Sequence, residues 1–438
     1  MKFTKMSLVA ALLIGSSAFA LDNTKVSGDA KLYYSTSDQG AANDLLDKKG
    51  AAGQAAFGLG VTTDLADGIS AGGHVTALTT LGLEGQLVNN VWEATNGTSD
   101  SWWVDQAWVA ATAGKTTAKV GRMELDTPYV FTEKWSIAEN TFGAAVVLNQ
   151  DIPDTTLVGA YVGQGNGSTF GGLGNANGVG GGLGGVIAKG NNVNTNVNTN
   201  VNVNTGTGIG TGTGTGTGTD TNTNFAQFFN GAYAVAAINN SWKPLVAQAW
   251  YFDATAAAKA YWLQADLDAS SLGVDGLTAG VQYTNLELQH QLIGGTKDKS
   301  NDAYAVMLGY GMKDMFSAKV AYSQTGKGDG TPVGMNLAGT AQSKLYTEAW
   351  WNYGLITAND TSAYNVTLES PVNGLFDLGV YYTAADHNAA NNAGDLQEFT
   401  ATASKSYGPL DATVAYVNTT LNGGNSFNIV QAYLTLNY

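Results

Sequence analysis

Apolar and polar residues alternate along most of this chain, in short segments that are separated by turn residues. In the segment from Val26 to Tyr34, Ala30 and Leu32 share one face of an extended strand, whereas Asp29 and Lys31 share the other. A period of two is typical of a β-strand with one apolar and one polar face. Because such segments recur through the chain, the pattern predicts an all-β, antiparallel protein.

The C-terminal segment keeps this alternation to the last residue. In the sequence FNIVQAYLTLNY, which runs from Phe427 to Tyr438, the side chains of Leu434, Leu436 and Tyr438 lie on one side of a strand. A transmembrane β-barrel must pair its last strand with its first, because an open edge is not tolerated in lipid. We therefore expect these three residues to belong to the strand that closes a barrel and that the outer-membrane insertion machinery recognises.

The connections between the predicted strands are alternately short and long. Leu65–Gly68 and Pro371–Phe376 are tight turns, whereas Ser35–Ala52 and Glu124–Thr141 are long connections. A transmembrane barrel has short periplasmic turns and longer external loops. The alternation therefore predicts a transmembrane antiparallel β-barrel.

The strand count depends on how one segment is interpreted. Ser343–Tyr353 resembles a strand, but counting it gives nineteen strands and puts the two termini on opposite sides of the membrane. Treating Thr325–Thr361 as one structured external loop restores an even number. We predict about eighteen strands, and an extra short hairpin that would give sixteen or twenty remains an alternative.

The N-terminal segment has the features of a secretory signal. Lys2 and Lys5 are basic residues at the start, Met6–Ile14 is an apolar run, and Ala18-Phe19-Ala20 is an A-x-A cleavage site. The run is shorter than the roughly 20 residues that a membrane helix requires. We expect residues 1–20 to be removed and residues 21–438 to form a single barrel domain in the outer membrane of a Gram-negative cell.

Composition narrows the possible partners. The chain has 438 residues, no cysteine and a formal net charge of −15. Disulfides and thiolate metal sites are thus excluded, and the acidic charge argues against nucleic acid as a partner. The 20 tyrosines, 10 tryptophans and 14 phenylalanines are sufficient for the aromatic girdles of a barrel. We expect outer-membrane lipids and lipopolysaccharide to surround it.

One insert differs from the rest of the chain. Residues 163–224 consist almost wholly of Gly, Asn, Thr and Val, and include VNTNVNTNVNVNTG and GTGTGTGTGTD. Such a repeat cannot bury enough apolar surface to fold alone. We expect a flexible external loop, and an adhesive or β-stacking role is the alternative.

The segment KVGRMELDTPYVFTEKWSIAENTF, from Lys119 to Phe142, carries the densest group of charges in the chain. Asp126-Thr127-Pro128 predicts a turn within it. We expect its charged side chains to face a narrowed lumen and, through their acidic excess, to favour cations mildly. The alternative is a set of solvated loop pairs, each contributing less than about 1 kcal/mol. The predicted constriction residues are Arg122, Glu124, Asp126, Glu133, Lys134 and Glu139.

The same region resembles a known family. GRMELDTPYVFTEKWSIAENTFGA, followed by DIPDTTLVGAYVG, is similar to the major outer-membrane porins of epsilonproteobacteria and, more loosely, to the OprD-type carboxylate porins. The likeness spans most of the mature chain and is most specific from Val120 to Gly163. It implies an eighteen-stranded barrel whose third loop folds inward, and a passive channel for small solutes. Assemblies of the family are often homotrimers, which we expect here, and monomers occur in the wider family. The chain shows no stepped row of inward arginines, so the resemblance does not extend to an anionic substrate track.

Other chemistry finds little support in the sequence. His74, His290 and His387 are isolated from one another, without zinc-type spacing, and no G-x-S-x-G motif occurs. We therefore expect no enzyme and no organic cofactor. Glu124, Asp126, Glu133 and Glu139 could hold a structural Ca²⁺ ion through oxygen ligands.

Two functions from different classes remain. The first is an outer-membrane porin, a water-filled channel for passive diffusion of ions and small hydrophilic solutes. The second is an outer-membrane adhesin or structural barrel that acts through its long external loops. The charged segment between residues 122 and 139 favours the porin, and the repetitive insert favours the adhesin.

Overall fold

The chain forms a closed antiparallel β-barrel, and the part of it that the structure describes contains almost no helix. The computed structural model describes residues 23–39, 44–47, 50–79, 81, 101–134, 137–166, 188–189, 226–254, 257–290, 296–328, 331–338, 342–388, 395–421 and 424–438. The predicted signal segment 1–20 lies outside these residues, as does nearly all of the insert. Among the described residues, no helix combines the length and the apolar character needed to cross a membrane.

Eighteen long strands, each paired with its neighbours in chain order, make up the barrel within the described part of the chain. A further two-residue strand, β8, pairs with β9 alone. The strands are β1 (Lys25–Ser37), β2 (Ala51–Ala66), β3 (Ile69–Thr79), β4 (Ser101–Ala113), β5 (Thr116–Met123), β6 (Phe142–Asn149), β7 (Thr155–Gly165), β8 (Ala188–Lys189), β9 (Ala226–Asn239), β10 (Leu245–Ala254), β11 (Ala258–Asp268), β12 (Leu277–Leu288), β13 (Lys299–Met312), β14 (Phe316–Thr325), β15 (Thr361–Val372), β16 (Phe376–His387), β17 (Leu396–Tyr407), β18 (Leu410–Leu421) and β19 (Asn425–Asn437).

The period of two corresponds to two chemically different faces of the barrel. On β12, Val281 is 53% exposed, whereas the next residue, Gln282, is 4% exposed. Tyr283 lies opposite Tyr304 of β13 on the outer face, where both rings are exposed. The outer face is therefore apolar and aromatic, and the inner face is polar, as a barrel in lipid requires.

The first and last strands close the barrel as the C-terminal pattern predicts. Leu434 pairs with Leu32, and Leu436 pairs with Ala30. Beyond the end of β19, the backbone nitrogen of Gly28 donates to the carbonyl of Tyr438 over 2.7 Å, and Tyr438 N donates to Gly28 O over 2.9 Å. Leu434, Leu436 and Tyr438 are all exposed on the outer side, and the strand that carries the first two pairs with β1.

The interpretation of Thr325–Thr361 as one loop is also confirmed. Strands β14 and β15 pair directly with each other. Ser343–Tyr353 forms no strand, and a short 3₁₀-helix, Tyr353–Thr357, follows it. The turn after β15 has Asn373 and Gly374 with φ values of 50° and 68°, as a type I′ turn requires.

The boundaries of the insert need correction. Gly163 and Gly165 belong to β7, and Asn166 next to them binds Thr141 through backbone and side-chain hydrogen bonds of 3.3 and 2.8 Å. Within the insert, Ala188 and Lys189 pair with β9. The Gly-rich composition therefore begins within β7, whose last three residues are Gly163, Gln164 and Gly165. These residue types are compatible with an extended backbone.

Candidate functional site

Two connections enter the barrel from the same end. Loop L3, residues 124–141, joins β5 to β6, and loop L7, residues 326–360, joins β14 to β15. The backbone of L3 doubles back on itself, since Thr132 N donates to Leu125 O over 2.8 Å and Asp126 forms a bridge with Phe131. The predicted turn at Asp126-Thr127-Pro128 lies at the tip of this hairpin, which positions the next residue, Tyr129, for insertion.

Tyr129 carries L3 across to a distant part of the wall. Its ring makes edge-to-face contacts with Phe252 at 5.5 Å and with Trp262 at 5.9 Å. Its hydroxyl hydrogen-bonds to Thr284 of β12, which lies six strands from β5 in the order of pairing. Burial raises the pKa of Tyr129, so the phenol stays neutral. The prediction that the third loop folds inward is thus confirmed.

L7 meets L3 inside the barrel. The backbone nitrogen of Leu337 donates to Tyr129 O over 2.8 Å. The Nδ2 atom of Asn336 donates to Phe131 O over 2.8 Å and to Glu133 Oε1 over 2.9 Å. Because Asn336 and Glu133 are almost completely buried, these bonds are shielded from water and join the two loops into one partition.

The remainder of L7 is fixed to the barrel wall on two sides. Gln282 of β12 binds L7 through Lys344 O at 2.8 Å and Tyr346 N at 3.1 Å. On β17, the carboxylate of Glu398 accepts backbone hydrogen bonds from Trp351 and Asn352, each 2.8 Å long. Sequence reasoning identified L7 as a structured loop, but not as a second inward one.

Glu348 lies at the centre of L7. Both oxygens of its carboxyl group accept from Ser343 N at 3.1 Å. Desolvation raises the pKa of Glu348 well above its ordinary range, and the nearby carboxyl of Glu133 adds to this effect. The hydrogen bond from Ser343 opposes this shift, and desolvation outweighs it.

A β-bulge in β4 places the consecutive side chains of Asp105 and Gln106 on the wall beside L3. His74 of β3 pairs with Gln106 of β4, but the next residue, Val75, pairs with Val104, so that Asp105 is the extra residue. Bulges of this kind redirect side chains near functional sites. As a result, the Asp105 carboxylate approaches His74 Nδ1 to 2.7 Å and accepts from the Thr76 hydroxyl at 3.0 Å.

His74 begins a chain of charges that runs along the wall. Its Nε2 atom lies 3.8 Å from Asp29 Oδ1 on β1. The other oxygen of Asp29 lies 3.8 Å from Lys31 Nζ, and Lys31 Nζ lies 3.4 Å from Glu139 Oε1 of L3. Carboxylates alternate with His74 and Lys31 along this chain, and the last step connects the wall to the loop.

The chain continues through L3 and returns to its starting point. Lys134 Nζ lies 3.9 Å from Glu139 Oε2 and 2.8 Å from Glu124 Oε2. The side-chain amide of Gln106 donates to Glu124 Oε1 at 2.9 Å, while its backbone nitrogen donates to Asp105 Oδ1 at 3.1 Å. We refer to this closed circuit as the charge ring; its members are Asp105, His74, Asp29, Lys31, Glu139, Lys134, Glu124 and Gln106.

The predicted constriction residues are distributed over four environments, of which that of Arg122 is described below. Glu124, Lys134 and Glu139 belong to the charge ring, and the hydrogen bond to Glu124 raises the pKa of Lys134. Asp126 instead forms a close ion pair with Lys344 of L7. Glu133 is buried against Asn336, as described above.

Arg122 binds the backbone next to the bulge. Its Nη1 atom donates to Val104 O over 2.8 Å. In the same segment, the ion pair between Lys134 and Glu124 is 2.8 Å long.

Five members of the charge ring were missed as constriction residues: Asp29, Lys31, His74, Asp105 and Gln106. The alternation on β1 does place Asp29 and Lys31 on the polar face, so a signal for these two was present. Each histidine has a partner from another segment: His74 contacts Asp105 and Asp29, His290 contacts Asp298 at 2.6 Å, and His387 contacts Thr361 at 2.9 Å. Sequence spacing could not show this, since each partner comes from another segment.

The candidate calcium ligands do not share one site. Glu124 faces Lys134, Asp126 faces Lys344, and Glu133 faces Asn336. Among the residues with described positions, no group of three or more acidic or histidine side chains could hold a metal ion. The calcium hypothesis remains a prediction, for which a lower Tm in EDTA would be the supporting result.

Solved structures with a similar fold are outer-membrane proteins. OpdK of Pseudomonas aeruginosa, solved with vanillate, matches with a TM-score of 0.66 and 12% identity over 95% of this chain and 99% of its own. OccAB4 of Acinetobacter baumannii matches with a TM-score of 0.67 and 11% identity over 96% and 99%. OccK8 (OprE) of P. aeruginosa matches with a TM-score of 0.65 and 12% identity over 95% of this chain and 98% of its own.

No protein-family model and no curated protein sequence matches the chain. At these identities, the structural likeness shows the fold alone. That fold is the closed barrel of eighteen antiparallel strands found in OprD-type porins.

Proposed function

We propose that this protein is an outer-membrane porin, a water-filled channel for the passive diffusion of ions and small hydrophilic solutes. The observation that carries the proposal is the partition made by L3 and L7 within a barrel whose outer face is apolar. A barrel that served only as a membrane anchor would not need charged side chains arranged on one wall beside an inward loop.

Transport through such a channel needs no covalent step. Solutes follow their concentration gradient, and the channel selects them by its radius and by the charges that line it. The charge ring supplies both signs at the level of L3, since four carboxylates face two lysines and His74. From the small acidic excess we infer a mild preference for cations.

The same proposal includes the membrane environment, the export and the assembly of the protein. We infer that the apolar outer face contacts outer-membrane lipids and lipopolysaccharide, that the chain is exported by a signal segment, and that the insertion machinery recognises β19. A homotrimer and membership of the epsilonproteobacterial major outer-membrane porins are supported by the likeness of GRMELDTPYVFTEKWSIAENTFGA and DIPDTTLVGAYVG to that family.

A planar-bilayer recording tests the function directly. Purified protein should give stable, ohmic current steps, and heat-denatured protein at the same concentration should give none. A barrel that inserts into the bilayer without conducting would contradict the porin and would favour the adhesin alternative. Reversal potentials that favour chloride in a KCl gradient would contradict the cation preference.

A further inference from the structure

We propose that Lys31 is the residue that determines the ion selectivity of the channel, by neutralising both a wall carboxylate and a loop carboxylate. The inference rests on the proposed porin function. The Nζ atom of Lys31 lies 3.8 Å from Asp29 of β1 and 3.4 Å from Glu139 of L3. It is therefore the point at which the charges of the wall meet those of the loop.

Lys31 differs from the other lysine of the charge ring in how firmly its charge is placed. The side chain of Lys134 is 65% exposed and is carried by a loop, whereas that of Lys31 is 21% exposed and is carried by a strand. On both sides β1 is paired, with Thr435 of β19 and Ala56 of β2 opposite Lys31. The charge of Lys31 thus has a fixed position on the wall.

The carboxylates beside Lys31 are accessible to ions. The side chains of Asp29 and Glu139 are 21% and 24% exposed, whereas that of Asp105 is 6% exposed and is already bound to His74 and Thr76. Removal of Lys31 would leave Asp29 and Glu139 facing the solvent of the lumen with one cation fewer between them. A permeating cation would then meet two carboxylates, and an anion would be repelled.

The size of the effect follows from Coulomb's law. Removing one unit charge about 6 Å from a permeating ion in water changes the occupancy of that ion by roughly threefold. Because cations gain while anions lose, the cation-to-anion permeability ratio should rise by roughly threefold to tenfold. The effect should shrink at about 1 M salt, where the screening length falls to about 3 Å.

The test is a series of reversal potentials in a KCl gradient at low salt. Lys31→Gln should raise the cation-to-anion ratio, and Lys31→Arg should keep the wild-type value, because the positive charge is retained. Asp29→Asn should lower the ratio, since Lys31 is then neutralised by Glu139 alone. Lys243→Gln provides the same loss of charge in a turn at the opposite end, where Lys243 pairs with Asp154 at 2.6 Å, and should leave the ratio unchanged.

The outcomes separate selectivity from a structural effect. If Lys31→Gln acts only by displacing L3, the double variant Lys31→Gln/Glu139→Gln will keep the altered ratio; if charge is the cause, the double variant will return toward wild type. Equal ratios in Lys31→Gln and wild type, or equal shifts in Lys31→Gln and Lys243→Gln, would overturn the inference while leaving the porin intact. Absence of current steps from the wild-type protein would overturn the porin itself.

Discussion

Asn336 and Glu133 join the two inward loops through a hydrogen bond of 2.9 Å from Asn336 Nδ2 to Glu133 Oε1. Asn336 is completely buried and Glu133 is 4% exposed, so neither group can exchange this bond for one with bulk water. Removing one partner of a buried hydrogen bond costs about 1–3 kcal/mol, because the other group is left unsatisfied. The partition across the lumen therefore depends strongly on a pair that lies outside the charge ring.

Replacement of Asn336 by alanine should loosen this partition. The variant loses the donor to Glu133 and the donor to Phe131 O, so that L3 and L7 separate and Glu133 draws in water. We expect a larger single-channel conductance with more current noise. Asn359→Ala is the matched control, because Asn359 is an L7 asparagine whose side-chain bond is exposed and 3.5 Å long. Unchanged conductance and noise in Asn336→Ala would show that the other contacts between L3 and L7 hold the partition without Asn336.

Tyr129 should hold the tip of L3 mainly through its ring. Tyr129→Phe removes the hydrogen bond to Thr284 but keeps the contacts with Phe252 and Trp262, whereas Tyr129→Ala removes both. Truncation of a buried aromatic ring costs about 3–5 kcal/mol. We expect near-normal conductance for Tyr129→Phe and increased conductance for Tyr129→Ala.

The release of L3 can also be measured chemically. The chain has no cysteine, so a cysteine introduced at Val130, which is 7% exposed, would be the only thiol. Alkylation of this cysteine should be slow when position 129 is tyrosine or phenylalanine, and fast when it is alanine. Equal alkylation rates in all three backgrounds would argue against an anchoring role for the ring.

Glu348 should make stability depend on pH. Its pKa is raised in the folded loop, chiefly by desolvation, whereas in the unfolded chain it should be near the usual value of about 4.3. The contribution of the protonated group to stability is then complete below about pH 4.3 and is lost as the pH rises through the folded pKa. Glu348→Gln has a neutral side chain at every pH, so it should not lose this part of the stability as the pH rises.

The difference in Tm between Glu348→Gln and wild type should therefore increase from about pH 4 to pH 8. Thermal unfolding in detergent at several pH values measures it. Glu369→Gln is the control, because Glu369 is an exposed acid on β15 and its replacement is the same change of acid to amide. Parallel Tm curves for wild type and Glu348→Gln would contradict the desolvation of this group.

The barrel was predictable from the sequence because the alternation and the turn residues that define each strand lie within or next to that strand. The alternation at Asp29 and Lys31, the tight turn at Pro371–Phe376 and the unbroken pattern up to Tyr438 are local signals, and each has its counterpart in the structure. The inward course of L3 was inferred from resemblance and from its charges. In both cases, residues close in sequence were sufficient.

The charge ring was only partly predictable, because its contacts are long-range. Lys31 and Glu139 are 108 positions apart, and no spacing rule connects them. The bulge at Asp105 shifts the register by one residue, so simple alternation cannot place Asp105 and Gln106 on the same face. The partnership of Asn336 with Glu133 is more distant still, and L7 carries few charges that would suggest an inward position.

Deletion of the insert should leave the channel intact. The strand boundaries indicate that the deletion must begin after Asn166, which binds Thr141 at the end of L3. Removing residues 167–224 should keep assembly and conductance close to wild type, since its low-complexity sequence cannot contribute a core of its own. A deletion that extends back to Gly163 is the comparison, and it should impair folding because it removes the end of β7. Loss of conductance in the shorter deletion would contradict the role of a spacer.

The two faces of β19 should respond oppositely to a charge. Leu434 is 39% exposed on the apolar outer side, and an arginine on the lipid face of a barrel costs up to about 2–4 kcal/mol, depending on depth. The adjacent residue, Thr435, lies on the inner side, opposite Lys31 and Asp411, so an arginine there keeps access to water and to a carboxylate. We expect Leu434→Arg to lower the folded fraction in lipid vesicles, as measured by the heat-dependent shift in gel mobility, and Thr435→Arg to fold almost normally. Equal folding of the two variants would mean that β19 does not present Leu434 to lipid.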